Sequence, residues 1–262
     1  MTTPERPAKP AKPTTELTVT STERLGPAML RLRFAGDLAA FEGVDDTDRY
    51  VKLLFTPDGS PDLSTMADGE RSSVRSYTVL ELDVAAGTLA IDFALHGSGF
   101  AMRWARDVQP GATITVQGPG SGYSPDPTAD WHLLVGDDAA LPAVRQALAV
   151  LPPDAQGYAV LLVGSRAEEL PLPAPAGVEV RWSHRDGGAG LADAVRELPW
   201  REGRVDVFVH GEAQAVMQEI RPYLRERGVD PRGASISGYW KRGLVDEEFR
   251  KWKRELAAAE AS

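Results

Sequence analysis

The period of the apolar residues changes once along this chain, and that change limits what it can fold into. Up to about Gln117 apolar residues alternate with polar ones, as in Leu17-Thr-Val-Thr-Ser21 and Met29-Leu-Arg-Leu-Arg-Phe34. Alternation of this kind marks strands with one buried face. After Gly118-Pro-Gly-Ser-Gly-Tyr123 and Pro125-Asp-Pro127 the apolar runs become continuous, as in Trp131–Val135, Tyr158–Val163, Val178–Trp182 and Val205–Val209. Continuous runs between helical patterns mark a parallel sheet covered on both faces. Two kinds of sheet in sequence, with a breaker-rich hinge between them, exclude a single uniform domain.

In the first part the strands expected are 17–21, 29–34, Tyr50–Phe55, Val74–Leu82, Thr88–Leu95 and Thr113–Gln117, separated by turn signals such as Gly26-Pro27 and Pro57-Asp-Gly59. Six short strands predict a six-stranded antiparallel β-barrel. Gly99–Arg106, after His96-Gly97-Ser98, predicts a short helix entered through glycines, and the free N–H groups of such a start suit an anion. In the second part helical patterns follow 131–135 through about Leu151, cover 190–197 and 212–227, and Ala234–Trp240 reads as the last strand. The fold class expected is therefore β followed by α/β. A leader at 1–13 carries four prolines and reads as disordered; a barrel domain covers 14–125, a parallel-sheet domain 126–243, and a C-terminal helix 244–262.

Charge and residue usage remove whole classes of function. With 29 Lys and Arg against 38 Asp and Glu the net charge is −9, which repels nucleic acid. No apolar run approaches a membrane span, and the Met1 end lacks the pattern of a secretion signal, so a cytoplasmic protein is expected. There is no cysteine, and the four histidines are scattered without ligand spacing. A thiol centre is thereby excluded and a protein-built metal site is not expected, so redox chemistry would need a bound organic cofactor. Nothing in the sequence calls for more than a monomer.

Arg75-Ser76-Tyr77-Thr78 puts a fixed cation and a flat ring on one face of a strand, and two hydroxyls on the other. Such a strand suits a ligand that is part ring and part anion; read alone, it equally suits an ordinary barrel strand. In the parallel sheet, ligands belong beyond the carboxyl ends of the strands. Those ends are Gly136-Asp137-Asp138, Gly164-Ser165-Arg166, Ser183-His184-Arg185 and His210-Gly211-Glu212. No Gly-x-Gly-x-x-Gly opens a helix there.

Over roughly residues 16–255 the chain resembles the siderophore-interacting, FAD-binding proteins, a ferric-siderophore reductase branch of the ferredoxin-reductase superfamily. The resemblance is carried by Arg75-Ser-Tyr-Thr78, by Tyr50–Phe55, by Asp92-Phe-Ala-Leu-His-Gly97 with Ala101-Met-Arg-Trp-Ala105, by Gly136–Ala143 and by Gly238-Tyr-Trp-Lys-Arg-Gly243. It implies FAD on the barrel, with Tyr77 against the isoalloxazine as the residue nearest the chemistry. Arg75 would hold the pyrophosphate, supported by Ser76, Thr78, Asp92, Phe93, Leu95, His96, Ala101, Met102 and Trp104. Leu80 and Met102 stand where relatives often carry an arginine and a small hydroxyl residue.

The same resemblance implies NADPH, with NADH as the alternative, at Gly136, Asp137, Ser165, Arg166, Arg185, Gly211 and Glu212. Arg166 would receive the 2′-phosphate. A ferric siderophore would dock on Lys52, Lys241 and Arg242, while Tyr239 and Trp240 pack. The activity implied is NAD(P)H-dependent reduction of ferric siderophore with release of Fe(II). The alternatives are a flavin or electron-carrier reductase on the same fold, and a siderophore-binding module without flavin.

Overall fold

The computed structural model describes residues 13–95, 99–244 and 246–260. The leader expected at 1–13 lies outside them except for Pro13, as does the glycine-rich turn at His96.

Seven strands form the first sheet: β1 (Thr14–Gly26), β2 (Met29–Gly36), β3 (Tyr50–Phe55), β4 (Ser73–Thr78), β5 (Leu80–Asp83), β6 (Thr88–Ala94) and β7 (Thr113–Gly120). They are antiparallel in the order β4-β3-β7-β1-β2-β6-β5. The two edge strands are thus consecutive in the chain, joined only by the fully buried Val79, and the sheet curls into a barrel-like form. Where the sequence suggests one strand over 74–82 there are two. Glu81 just beyond the break has φ 47°, a left-handed conformation unfavourable for a residue with a Cβ. Its carboxylate accepts hydrogen bonds from Arg31 and, at 3.0 Å, from Arg33, both on β2 beyond the intervening β6, partners that oppose this strain. The inner face packs Leu17, Phe34, Val51, Leu53, Phe55 and Phe93 into one core, closed at one end by α1 (Phe100–Asp107).

The second sheet is parallel throughout: β8 (Trp131–Asp137), β9 (Gln156–Val163), β10 (Gly177–His184), β11 (Val205–Glu212) and β12 (Ala234–Trp240), in the order β10-β9-β8-β11-β12. The helices α2 (Leu141–Val150) and α3 (Leu191–Arg196) fall where the periodicity places them. The single helix expected at 212–227 is instead a π-helical stretch, Gln214–Ile220, followed by α4 (Arg221–Glu226). Pro222 supplies a reason, because its ring cannot donate to, and clashes with, the carbonyl four residues back. α5 (Asp246–Glu260) lies along β12, with buried Phe249 against Gly238 and Lys253 Nζ donating to the Gly238 carbonyl at 3.1 Å.

The breaker-rich connection is tied to both sheets. Asp48 Oδ1, just ahead of β3, accepts from the Gly122 and Tyr123 amides at 2.8 and 2.9 Å. The Tyr123 hydroxyl donates to Asp206 at the start of β11 at 2.7 Å, and His132 Nδ1 reaches the same carboxylate at 3.1 Å. Met29 of β2 joins Leu134, Leu141 and Phe208 in one apolar cluster with the Tyr123 ring. Among the described residues no helix is long and apolar enough to cross a membrane.

Candidate flavin and dinucleotide site

β4 pairs with β3 so that Arg75 stands opposite Leu53 and Tyr77 opposite Val51, both residues of the barrel core. Opposed residues of an antiparallel pair share a face, so Arg75 and Tyr77 point inward and Ser76 outward beside Lys52. The Tyr77 ring lies 4.4 Å from that of Phe93 at 41°, and burial pushes its hydroxyl up to about 12. The Arg75 guanidinium lies over the Phe100 ring, 4.3 Å from its centroid. Phe100 is the first residue of α1 and is held in turn by Gly59, whose φ is +92° and where a Cβ would come within 2.7 Å of Phe100 Cβ.

This contact brings two expected anion-binding elements together. The first helical bond of α1 runs from Arg103 N–H to the Gly99 carbonyl at 3.0 Å, and no side chain caps the helix. The amides of Phe100, Ala101 and Met102 precede that bond, so a helix start and a fixed cation meet at one place. The donor set fits the pyrophosphate of a flavin dinucleotide.

Other residues expected to face FAD have partners of their own. Asp92 is buried and takes a two-pronged ion pair from Arg31 across β2 and β6, at 2.7 and 2.8 Å. Phe93 lies wholly in the core, Met102 is buried, and Trp104 packs edge-on to Phe55 and Phe93 at 6.0 and 6.1 Å. The Leu95 amide donates to the Ala28 carbonyl, 2.8 Å away. Their side chains thus shape the barrel, and among these residues α1 offers a ligand its backbone. His96 lies outside the described residues.

At the carboxyl edge of the parallel sheet the centre is Asp137, 1 % exposed. Its Oδ1 accepts from the Ala139 and Ala140 amides at 3.0 and 3.3 Å, and its Oδ2 from the Glu212 amide and the Trp240 indole, both at 2.8 Å. Burial first, then the charge of Asp138, pushes this carboxyl up to about 6. Three glycines allow the strand ends to close around it. A Cβ at Gly136 would lie 2.8 Å from Ala140 Cβ, one at Gly211 2.9 Å from Asp137 Cγ, and one at Gly238 2.6 Å from Ala213 Cβ. Asp138 pairs with Arg185 at 2.8 and 3.3 Å, which bridges the ends of β8 and β10.

Two residues expected at the dinucleotide, Asp137 and Arg185, therefore have their polar groups engaged within the protein. Glu212 is engaged as well: its carboxylate accepts from the Ala215 amide at 3.0 Å and from the Arg242 amide at 3.1 Å. Ser165 and the exposed Arg166 follow β9, with Glu168 turned back to accept from the Gly164 amide at 2.9 Å.

Lys241 Nζ donates to Gln214 Oε1 at 3.0 Å and lies 4.8 Å over the Trp252 ring, while Arg242 is exposed. Tyr239 is 36 % exposed as a residue, and its hydroxyl is raised by the partial burial of that end first, then by the charges of Asp48 and Asp137 and by the Tyr50 hydroxyl. On β3, Lys52 shares a face with Tyr50. His210 and Tyr239 were not singled out by the sequence pattern as ligand residues. Position at the carboxyl end of a strand was the one signal His210 carried.

Both halves of the chain match known families. Residues 18–123 match the siderophore-interacting FAD-binding domain and residues 129–243 the siderophore-interacting protein family. An uncharacterized protein of Mycobacterium tuberculosis is 46 % identical over 93 % of the chain and 95 % of its own length. The ferric vibriobactin reductase of Vibrio cholerae is 30 % identical over 85 % of the chain and 88 % of its own length. The crystal structure of a siderophore utilization protein from T. fusca is 35 % identical, with a TM-score of 0.76 over 89 % of this chain and 95 % of that one. More distant solved structures, a flavohemoglobin from Malassezia yamatoensis at 16 % identity and a ferredoxin reductase in carbazole 1,9a-dioxygenase at 15 %, share the fold alone. The chain belongs to the siderophore-interacting, FAD-binding protein family.

Proposed function

We propose that this protein is a ferric-siderophore reductase that uses FAD and takes its electrons from NAD(P)H. The observation that carries the reading is the seat of Arg75 over Phe100, which joins the inward cation of β4 to the uncapped start of α1. In this reading residues 14–125 hold FAD, residues 126–243 receive the dinucleotide, and the tail helix is α5, Asp246–Glu260. Arg75 and the α1 amides grip the pyrophosphate, and Tyr77 lies against the ring system.

Bound flavin supplies the exchange between a two-electron hydride donor and a metal that accepts one electron at a time. Each NAD(P)H oxidised accounts for two Fe(III) reduced and one proton released. The exposed Arg166 offers charge for a 2′-phosphate and favours NADPH over NADH. Lys52, Lys241 and Arg242 present positive charge to an anionic ferric siderophore, the substrate. Named activity in the Vibrio cholerae relative supports this assignment. Cytoplasmic work as a monomer completes the reading.

The test is NADPH oxidation by the FAD-loaded protein with a ferric siderophore, Fe(II) being trapped by a chromogenic chelator. Two moles of Fe(II) per NADPH, lost when FAD is removed, is the expected result. Turnover seen only when free flavin is added would identify an electron-carrier reductase instead. A protein that binds the siderophore but no FAD would be a binding module.

A further inference from the structure

Four described buried side-chain nitrogens have no hydrogen-bond partner, on Arg49, Trp131, Arg201 and His210. Only His210 stands at the carboxyl end of a strand in the parallel sheet, where ligands of such sheets bind. The residue is 5 % exposed, and its ring stacks on Phe208 at 3.9 Å and 13°. Nε2 meets Ser235 Oγ at 2.9 Å, whereas Nδ1 is left without a partner among the described residues. A buried polar atom without a partner is costly, typically by about 1–3 kcal/mol. Tyr239, edge-on to the His210 ring at 4.8 Å, is 36 % exposed and one of two exposed large hydrophobic residues among those described.

We propose that His210 Nδ1 is a docking point for the amide edge of a flat heterocycle, the group that the flavin and nicotinamide rings share. The inference deepens the flavin and NAD(P)H reading above and rests on it. The imidazole is neutral, since burial, then the charge of Lys253, holds it down at about 3. A neutral imidazole has one N–H and one lone pair, and the Ser235 hydroxyl can satisfy either at Nε2. Nδ1 is then the complementary donor or acceptor, and an amide edge carries both. Phe208 fixes the plane of the ring, and the entering heterocycle takes the place of the Tyr239 edge.

Histidine-selective 15N NMR of the full chain tests this directly. The His210 signals are those lost in His210→Phe, a variant that keeps a flat ring over Phe208 and whose folding is checked by its melting curve. FAD alone, NADP+ alone and both together are added in separate arms, which distinguish the source of the amide. The Nδ1 resonance should move with at least one of them, and the Kd for that cofactor should rise about fivefold in His210→Phe, the loss expected for one neutral hydrogen bond. A His210 resonance unmoved while both cofactors bind overturns this inference and leaves the reductase reading intact, as does an unchanged Kd in the variant. A chain that binds neither cofactor overturns both.

Discussion

The Asp137 carboxylate accepts the indole N–H of Trp240 at 2.8 Å across 103 residues of sequence, and so joins the two motifs at the carboxyl edge of the sheet. The same oxygen takes the Glu212 amide, and Glu212 in turn holds the Arg242 amide. A chain of three acceptor contacts therefore runs from the last residue of β8, through the end of β11, to the basic turn after β12.

Asp137 gives stability a defined dependence on pH. Its folded carboxyl is raised from an ordinary value near 3.9 to about 6, so the folded chain binds this proton more tightly than the unfolded one. That contribution is complete below about pH 4 and is lost as pH rises through about 6. Denaturant titrations should show the wild type losing about 2 kcal/mol more than Asp137→Asn between pH 4 and 7. Parallel curves for the two proteins would show that this carboxyl does not set the slope.

Arg75→Ala should weaken FAD binding by about tenfold to a hundredfold, the range for a lost charge-assisted hydrogen bond. Flavin fluorescence quenching gives the Kd. Flavin affinity equal to the wild type would move the pyrophosphate away from β4.

Gly59→Ala tests the other half of that seat without touching the cation. The new methyl meets Phe100 Cβ in a left-handed backbone, so α1 must shift away from Arg75. Stability should fall by about 1 kcal/mol or more, and FAD affinity should drop with it. A loss of stability with unchanged affinity would mean that α1 contributes nothing to the flavin.

Asp92 separates fold from chemistry. Removing its carboxylate leaves Arg31, whose side chain is 7 % exposed, with Glu81 alone, so Asp92→Ala should cost about 3 kcal/mol. FAD affinity of the folded fraction should stay near that of the wild type. A selective fall in affinity would restore Asp92 to the cofactor site.

Arg166→Ala should raise the KM for NADPH and leave that for NADH nearly unchanged. Steady-state kinetics with both donors decides it, since equal changes would make Arg166 irrelevant to the 2′-phosphate.

Much of the fold could be read from local pattern. The change of period at Gly118 separates the two sheets because alternation and continuity follow from how many faces of a strand are buried. The break at Val79 could not be read, since Val79 and Leu80 are good strand formers. The turn at Glu81 depends on Arg31 and Arg33, about 50 residues away. Arg75 and Tyr77 were readable because a cation and a ring at spacing two share a face. Asp137 and Arg185 were read as ligand residues because a charge after a strand normally meets solvent or substrate. Their partners, Trp240 and Asp138, lie 103 and 47 residues away, beyond the reach of local pattern.

Gly136 and Gly238 are the letters by which the two carboxyl-edge motifs are spelled, and Gly211 stands near the end of the strand between them, yet each is required by a neighbouring atom of the protein itself. Any chain that gathers these strand ends around a buried carboxylate needs them, whether or not it ever carries an electron. Those letters therefore diagnose architecture. In the proposed reading, a descendant that had abandoned flavin altogether would still display them, and the trace of that loss would be sought at position 75, whose guanidinium lies over Phe100 at the start of α1.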